Sequence, residues 1–230
     1  MLFRTPVSPA LVAACLCGVG VVANAQMNSG AAMQDTSPEP DDSRVHQFIE
    51  GGYSAPTGTT ANYLHGGPNG AIGFSVAPVK GSPVDFRFDF AYNRMDGTPA
   101  LIALSQAVAP GVNKVHEDIW SGSLDLEFRA RFGGGVQGYL MGGGGAYRTH
   151  LVLRRPGLVS GGSYGGGSGF GEQTAANYTM TKFGWNAGAG LSFPLEDGGS
   201  WFIEARLTRI PASGSAAPLQ FVPIDFGVQF

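Results

Sequence analysis

The chain has few charged residues and few cysteines. Charged residues make up 13% of its 230 positions, against ~25% in an average soluble domain. Its two cysteines, Cys15 and Cys17, both lie close to the N-terminus, so the rest of the chain cannot be held together by disulfides. The net charge is −3 and no basic cluster is present, which gives no reason to expect nucleic-acid binding.

Long apolar runs are also missing. After His46, no stretch approaches the ~18 consecutive apolar residues expected of a transmembrane helix. Glycine, in contrast, occurs 37 times, while 43% of the residues are hydrophobic and 11% are aromatic. A chain with much apolar material but no long apolar segment is typical of many short strands joined by turns and loops.

The N-terminus has the pattern of an export signal. Arg4 precedes an apolar stretch from Ala10 to Ala23, and Ala23 and Ala25 form a small-residue cleavage site before Gln26. We predict a signal peptide over residues 1–25, removed after Ala25. The alternative is a lipoprotein signal in which Cys15 is lipidated.

The segment that follows the predicted cleavage site is polar. Residues 26–44 contain acidic residues and prolines and little that could form a core. We expect a flexible periplasmic lead-in that does not fold by itself.

The chain from residue 45 onward shows alternation of apolar and polar residues with a period of two. It is clearest in Val84–Tyr92, Leu124–Phe132 and Trp201–Thr208, where aromatic or aliphatic side chains take one face and charged side chains the other. Because successive side chains of a strand point to opposite faces, each segment has an apolar wall and a charged wall. A soluble β-sandwich and a membrane β-barrel would both produce this pattern.

The C-terminal residues favour the barrel. Apolar residues alternate with others up to the last position and end on an aromatic residue, in the series Val222, Ile224, Phe226, Val228 and Phe230. Such an ending is typical of the signal that the outer-membrane assembly machinery reads. We therefore expect the apolar walls to face lipid, and a sheet in lipid must close on itself because lipid offers its edges no hydrogen-bond partner.

Eight segments have a length suited to crossing a membrane as strands: His46–Ala55, Asn69–Pro78, Val84–Arg94, Asp118–Phe132, Val136–Arg148, Tyr178–Pro194, Ser200–Arg209 and Gln220–Phe230. Short connections at 79–83, 133–135 and 195–199 alternate with longer ones at 56–68, 95–117, 149–177 and 210–219. Outer-membrane barrels show this asymmetry, with short periplasmic turns and longer outer loops. We predict an all-β fold, a closed antiparallel transmembrane β-barrel of eight strands over residues 45–230, with both ends in the periplasm.

Two long connections leave alternatives open. The apolar stretch Ala100–Ala109 lacks alternation and fits either a short helix at the barrel mouth or an extra strand. If this stretch were an extra strand, a ten-stranded barrel would need a further strand near Leu151–Leu153. We favour eight strands. The glycine-rich stretch Gly161–Gly171 lacks the lysine and the setting of a phosphate-binding loop and is predicted to be a flexible outer loop.

In its strand alternation, its loop asymmetry and its ending Asp225–Phe230, the chain resembles the small outer-membrane barrels of the OmpA transmembrane domain, OmpX and opacity-type family. The resemblance covers roughly residues 45–230. It implies a Gram-negative outer-membrane location and an eight-stranded architecture, and it says much less about the task.

The alternation also predicts which side chains point into the barrel. The inward charged set is Glu50, Asp85, Arg87, Asp89, Asp125, Glu127, Arg129, Arg131, Lys182, Glu204, Arg206 and Asp225. We interpret these mixed charges as a paired plug, with a narrow pore as the alternative, since eight-stranded barrels are filled by their own side chains. Inward glycines at 73, 184, 188 and 190 and Ser75 would favour the pore if they leave space for water.

Aromatic residues are expected at the two membrane interfaces. The candidates are Tyr53, Tyr92, Trp120, Tyr147, Tyr178 and Trp201. The apolar outward residues between them, such as Phe74, Phe86 and Leu126, would face lipid.

No catalytic or metal-binding constellation is visible. His46, His65, His116 and His150 fall near predicted strand ends or in loops, where a solvated surface histidine is the default. His116, Glu117 and Asp118 are adjacent on an extended chain and cannot all face one ion. The sequence predicts no cofactor and no catalysis, with a lipid-modifying barrel enzyme as the third hypothesis after a surface protein and a pore.

The predicted partners follow from the architecture. They are outer-membrane lipid and lipopolysaccharide, the assembly machinery at the C-terminal strand, and a host, phage or cell-surface ligand at the outer loops, because binding residues concentrate on loops over a rigid scaffold.

Overall fold

A computed structural model describes residues 45–79, 81–160, 168–196, 198–212 and 217–230. The predictions made for the N-terminal segment lie outside the described residues. These are the signal peptide with its cleavage after Ala25, the alternative lipidation of Cys15 and the lead-in at 26–44.

Eight long strands and one very short strand make up most of the described chain. The long strands are β1 (Val45–Pro56), β3 (Gly67–Val76), β4 (Val84–Gly97), β5 (Lys114–Arg131), β6 (Gln137–Ser160), β7 (Ser168–Pro194), β8 (Ser200–Ile210) and β9 (Leu219–Gln229). The short strand β2 (Leu64–His65) pairs with the end of β4. A single α-helix of the described residues, α1 (Pro99–Val108), follows β4.

The eight long strands form a ring. In spatial order they run β4, β3, β1, β9, β8, β7, β6, β5, and the pairing of β4 with β5 joins the two ends. Every pairing is antiparallel. The first and last long strands, β1 and β9, are joined by nine residue pairs, from Phe48 opposite Gln229 to Pro56 opposite Phe221. The predicted eight-stranded antiparallel barrel is therefore confirmed. Among the described residues, no helix is both long enough and apolar enough to cross a membrane.

The outer wall of the ring is apolar, as the alternation predicted. Phe86, Phe88 and Phe90 on β4 are each 40–51% exposed, while Asp85, Arg87 and Asp89 between them are buried. Phe74 stacks on Phe88 with ring centroids 4.9 Å apart. Aromatic contacts also mark both ends of the wall, with Tyr92 and Trp120 towards the long connections and Phe193 and Trp201 towards the short turns.

Tyr147 was wrongly predicted to lie in an interface girdle. It is only 3% exposed and belongs to an apolar cluster inside the barrel. The residues before it, Gly142–Gly145, carry no side chains from which the facing of the strand could be read. Tyr139 and Met141, which share the parity of Tyr147, are buried as well.

The prediction of an outer loop at 149–177 is also wrong for most of that range. β6 and β7 stay paired from Gln137 opposite Ser192 to Ser160 opposite Ser168, with one register shift at Leu153/Arg154. Leu151–Leu153 extends β6 rather than adding a strand, so β6 and β7 continue past the ring as a ribbon. β5 also pairs with β6 in the lower part of this ribbon, as far as Lys114 opposite Arg154, and only the residues beyond that pair are two-stranded. Of the glycine-rich stretch predicted to be a loop, residues 168–171 lie in β7 and residues 161–167 lie outside the described part.

The stretch Ala100–Ala109, for which the sequence allowed a helix or an extra strand, forms most of helix α1. Thr98 caps α1 by accepting a hydrogen bond from the backbone N–H of Leu101 at 3.3 Å, and Pro99 occupies the first helical position, where its missing N–H costs nothing. Leu101 packs against apolar clusters inside the ring and beside it. The helix therefore lies over the end of the barrel that bears the long connections.

Candidate functional site

The barrel interior is built in layers, and one layer in the half nearer the short turns is aromatic. Phe48, Tyr139, Met141 and Phe202 form one buried cluster. Each ring lies on a glycine of a neighbouring strand: a Cβ at Gly73 would overlap Phe48, one at Gly190 would overlap Tyr139, and one at Gly227 would overlap Phe202. The expectation that inward glycines leave water-filled space is wrong at Gly73 and Gly190, since aromatic rings fill it.

Arg87 is the centre of the next layer, which is charged. Its guanidinium lies 2.8 Å from Glu204, 3.0 Å from Asp89 and 3.1 Å from Glu50, and Glu127 is 3.5 Å away. The same group stands 4.0 Å above the ring centroid of Phe48. This combination of carboxylates and an aromatic face suits the planar guanidinium.

Arg206 is the second cation of this layer. It contacts Glu204 at 2.7 Å, Asp89 at 3.2 Å and Asp125 at 3.3 Å. Glu204 and Asp89 thus bridge both arginines, and the hydroxyl of Tyr139 donates to Glu204 at 2.9 Å. Buried charges are tolerated only when they are paired in this way.

Arg129 forms a third group towards the short turns. It contacts Asp85 at 2.9 Å, pairs with Glu127, and donates to Ser75 at 3.2 Å. Nine of the twelve predicted interior charges are thereby joined by ion pairs, and Asp225 lies beside them with a carboxylate oxygen within 4.8 Å of oxygens of Glu50 and Glu204.

Two of the predicted interior charges do not join the cluster. Arg131 is exposed at the end of β5 and Lys182 is half-buried on β7, near the opposite end of the ring. Both have the inward parity, but parity alone does not tell how far along the barrel a side chain lies.

Above the charges lies a neutral polar layer that the sequence interpretation did not single out. Ser54 donates to Asn93 at 2.6 Å, and Asn69 donates to Ser54 at 3.2 Å. Asn69 and Asn93 line a cavity together with Glu50, Tyr147, Arg206, Thr208 and Asp225. Only the alternation of β1, β3 and β4 could have indicated them, because short polar residues carry no strong pattern.

An apolar layer closes the interior at the end that bears α1. It consists of Leu64, Met95, Ile119, Tyr147, Ile210 and Phe221, with Leu101 and Leu219 packed against it. Met95, Ile119 and Ile210 have no exposed surface at all. We call the cluster of Leu64, Met95, Ile119, Tyr147, Ile210 and Phe221 the apolar cap.

One of the four histidines is buried although the sequence predicted it to be exposed. His116 was expected to be solvated, yet it is 3% exposed, with its Nε2 atom 3.7 Å from a carboxylate oxygen of Asp118. β5 begins at Lys114, earlier than predicted, and this extension pairs His116 with Asp96 on β4 and Val152 on β6.

The C-terminal strand is fully built into the ring. β9 pairs with β1 and β8, and Phe230 exchanges two backbone hydrogen bonds of 2.9 Å with Gln47. Ile224, Phe226, Val228 and Phe230 are exposed on the outer wall, and Val222, of the same parity, is half-buried. Recognition of this strand by the assembly machinery stays a prediction.

Beyond the ring, the β6–β7 ribbon presents an unpaired edge. β7 pairs with β8 only from Trp185 onward, so in the described part its residues before Trp185 pair with β6 alone. Asn177–Thr181 are all exposed. Unpaired edges of this kind are templates for pairing with another chain.

Comparisons with known proteins identify the fold. No protein-family model matches the chain, and no curated protein matches it in sequence. Among solved structures, a major outer membrane protein from Thermus thermophilus is similar with a TM-score of 0.50 and 11% identity, over 81% of this chain and 98% of that chain.

Two further solved structures resemble the chain more loosely. Neisserial surface protein A has a TM-score of 0.49 and 13% identity, over 81% of this chain and 96% of that chain. The outer membrane protein OprG from Pseudomonas aeruginosa has a TM-score of 0.45 and 11% identity, over 84% and 99%. With its ring of eight antiparallel strands, its apolar outer wall and its filled polar interior, this chain has the fold of the small outer-membrane β-barrels.

Proposed function

We propose that the chain is an outer-membrane surface protein whose β6–β7 ribbon binds partner polypeptides by strand pairing, without catalysis. The observation that carries this proposal is the unpaired, solvent-exposed edge of β7 at Asn177–Thr181. An extended segment of a partner would add to this edge through backbone hydrogen bonds, as in other β-augmented complexes.

The location of the ribbon supports a role outside the cell. It lies at the end of the barrel opposite the short turns, with the long connections, and short turns are periplasmic in outer-membrane barrels. Between Ser168 and Trp185 the strand rises roughly 55 Å at about 3.3 Å per residue. A ribbon of this length reaches well beyond the lipid headgroups.

The composition of the edge also suits pairing. From Gln173 to Gly184 the only charged residue is Lys182, and there is no proline. Edges that avoid pairing usually carry charges, prolines or bulges. The register shift of this range leaves Ala175 without an opposite residue and lies outside Asn177–Thr181. The threonines and Tyr178 have high strand propensity.

The layered interior supports a scaffold rather than a conduit. Ion pairs around Arg87 and Arg206 fill the middle, and the apolar cap fills the outer end. The barrel then serves to hold the ribbon and α1 in a fixed position at the surface.

A deletion guided by the strand register tests the proposal. Arg155 lies opposite Gln173, so replacing residues 156–172 with Asn-Gly, the preferred two-residue hairpin turn, shortens the ribbon without changing the ring. In a second variant Asn-Gly replaces residues 148–181, so that Tyr147 and its partner Lys182 flank the turn and the edge at Asn177–Thr181 is eliminated. Because this deletion also removes the β6 residues that pair with β5 from Lys114 to Trp120, the folding of the variant is verified by its gel mobility without boiling.

Cells that display each variant are compared for attachment to immobilised host matrix proteins and for cell–cell aggregation. We expect wild type to bind, the first variant to keep most binding and the second to lose it while the barrel still folds. Equal binding by wild type and both variants, or no binding above cells without the protein, would refute the ribbon as a docking edge.

A further inference from the structure

The charged layer of the barrel holds more acid than base. Among the described residues, seven carboxylates surround three arginines there: Glu50, Asp85, Asp89, Asp125, Glu127, Glu204 and Asp225 around Arg87, Arg129 and Arg206. All seven carboxylate residues are at most 8% exposed. A buried charge without compensation is strongly unfavourable, so the four carboxylates in excess need protons or cations.

Three of the carboxylates converge on one point. One oxygen each from Glu50, Glu204 and Asp225 lies within 4.8 Å of the other two. They come from β1, β8 and β9, which are adjacent strands of the ring. A ring that closes by pairing β1 with β9 therefore assembles the triad from residues far apart in the chain.

The bonding of Glu204 divides the roles within the triad. One oxygen of Glu204 accepts from Arg87 and Tyr139, and the other accepts twice from Arg206. Its acceptor positions are thus occupied, whereas Glu50 accepts from Arg87 through one oxygen at 3.1 Å. Glu204 supplies negative charge, and Glu50 and Asp225 have oxygens to offer a ligand.

Asp225 supplies a second, independent indication of a ligand. It is 6% exposed, and among the described residues its Oδ1 atom has no hydrogen-bond partner. Gly52 on β1 allows the close approach of β9, since a Cβ there would overlap the backbone oxygen of Ile224 and lie 2.7 Å from this Oδ1 atom. A buried carboxylate oxygen without a hydrogen-bond donor is costly unless something else binds it.

The surroundings of that oxygen are suited to a hard cation. Asp225 and Glu50 line the same cavity as Asn69, Ser121 and Thr208. Arg206 lines it as well, and its guanidinium is paired with Glu204, Asp89 and Asp125. The Oδ1 atom of Asn69 is buried without a partner too. Carboxylate, amide and hydroxyl oxygens without nitrogen or sulfur ligands are the donor set that Ca²⁺ prefers.

We propose that Glu50 and Asp225, with Glu204 behind them, bind one hard divalent cation, represented here by Ca²⁺, inside the barrel. The cation would enter while β1 and β9 close the ring, because the apolar cap covers the outer end of the finished interior. It would act as a structural tie between the first and last strands. The proposal does not depend on the surface function proposed above.

The experiment measures calcium retained by the folded barrel. The full barrel is unfolded in urea, refolded into detergent with Ca²⁺ or with a chelator, desalted into chelator, and analysed for metal content. We expect about one Ca²⁺ per chain in the wild type folded with calcium. At free calcium a hundred times the dissociation constant, the folding equilibrium in urea should shift about a hundredfold.

Three variants locate the site. Asp225→Asn and Glu50→Gln keep the shape of the side chains but remove ligand charge, and both should lose the retained calcium and the calcium-dependent shift. Asp85→Asn is the matched control, because Asp85 is a buried carboxylate that pairs with Arg129 at 2.9 Å outside the triad. It should retain calcium as the wild type does.

Folding of each variant is verified by its mobility on gels without boiling. The proposal is overturned if the folded wild type retains no more calcium than the background and Ca²⁺ does not change its unfolding in urea. Protons would then compensate the excess carboxylates. Equal retention by wild type, Asp225→Asn and Glu50→Gln would also overturn it. If one of the two triad variants does not fold, the other and the wild type still decide.

Discussion

Arg206 shows at the level of one residue how the interior is held together. It contacts Glu204, Asp89 and Asp125, so Arg206→Met leaves three carboxylates with one cation fewer while nearly keeping the volume. We expect the free energy of unfolding to fall by about 3–5 kcal/mol, the usual cost of breaking a buried ion pair. Urea unfolding in lipid vesicles measures it.

The matched control is Arg131→Met, since Arg131 has the same inward parity but is exposed. Its effect should stay within about 0.5 kcal/mol, as for most surface substitutions. Equal effects of the two substitutions would contradict a network centred on Arg87 and Arg206.

Gly190 tests the contact between glycines and rings. A Cβ there would overlap the ring of Tyr139, so Gly190→Ala should destabilise the barrel by about 1–3 kcal/mol through overpacking. Gly122→Ala on β5 is the control, because a Cβ there would meet nothing within 4 Å. It should be neutral or slightly stabilising, and a similar loss in both variants would contradict the packing role.

The sequence predicted the facing of charged residues well where they alternate with aromatic ones. Asp85, Arg87 and Asp89 are buried between Phe86, Phe88 and Phe90 as expected. The prediction was wrong at Tyr147, which follows four glycines, because glycine marks neither face. Partners across the ring, such as Glu204 for Arg87, depend on strand register and could not be derived from one sequence.

The β7 edge is the feature that matters most at the level of elements. In a strand, neighbouring residues direct their N–H groups to opposite sides, so Met180→Pro and Thr181→Pro form a matched pair. One of them removes an N–H that faces β6 and weakens the ribbon. The other removes an N–H that faces the open edge and should leave stability unchanged.

We expect the variant with unchanged stability to lose partner attachment, measured as for the ribbon deletions. Hydrogen exchange of β6 amides identifies which variant keeps the β6–β7 ladder. Full attachment by that variant would contradict strand pairing at this edge.

Element boundaries were predicted less well than element existence. All eight strands were expected, but β6 continues to Ser160 and β7 already begins at Ser168, in a region that was predicted to be a loop. Polar and glycine-rich stretches have weak strand signals of their own, and here the two strands stabilise each other by pairing. The helix at Pro99–Val108 was one of two alternatives because apolar residues without a clear period fit either structure.

At the level of the whole molecule, the filled interior predicts that the barrel does not conduct. The apolar cap includes Met95, Ile119 and Ile210 with no exposed surface, and the charged layer lies beneath it. Purified wild-type barrel in a planar bilayer should show no steady ionic conductance. A variant with Ile210→Ala and Phe221→Ala, which opens the cap, is the comparison, and steady wild-type conductance would favour the pore hypothesis instead.

The architecture as a whole could be predicted because several signals agreed. Alternating segments, short turns between long connections and an aromatic C-terminal strand all indicated one antiparallel ring, which the pairing of β1 with β9 and of β4 with β5 now closes. The layers inside could not be predicted, since they depend on how far each strand is shifted along its neighbour. The triad of Glu50, Glu204 and Asp225 is an example.

The most direct test of the account is gel mobility before and after boiling. The outer-membrane fraction of cells that make the protein is run in SDS with and without heating. A closed, hydrogen-bonded ring should resist SDS until heated, so we predict a fast band without boiling and a slower band after it. A single mobility under both conditions, with the protein recovered from the soluble periplasm, would contradict the transmembrane barrel and with it the surface ribbon.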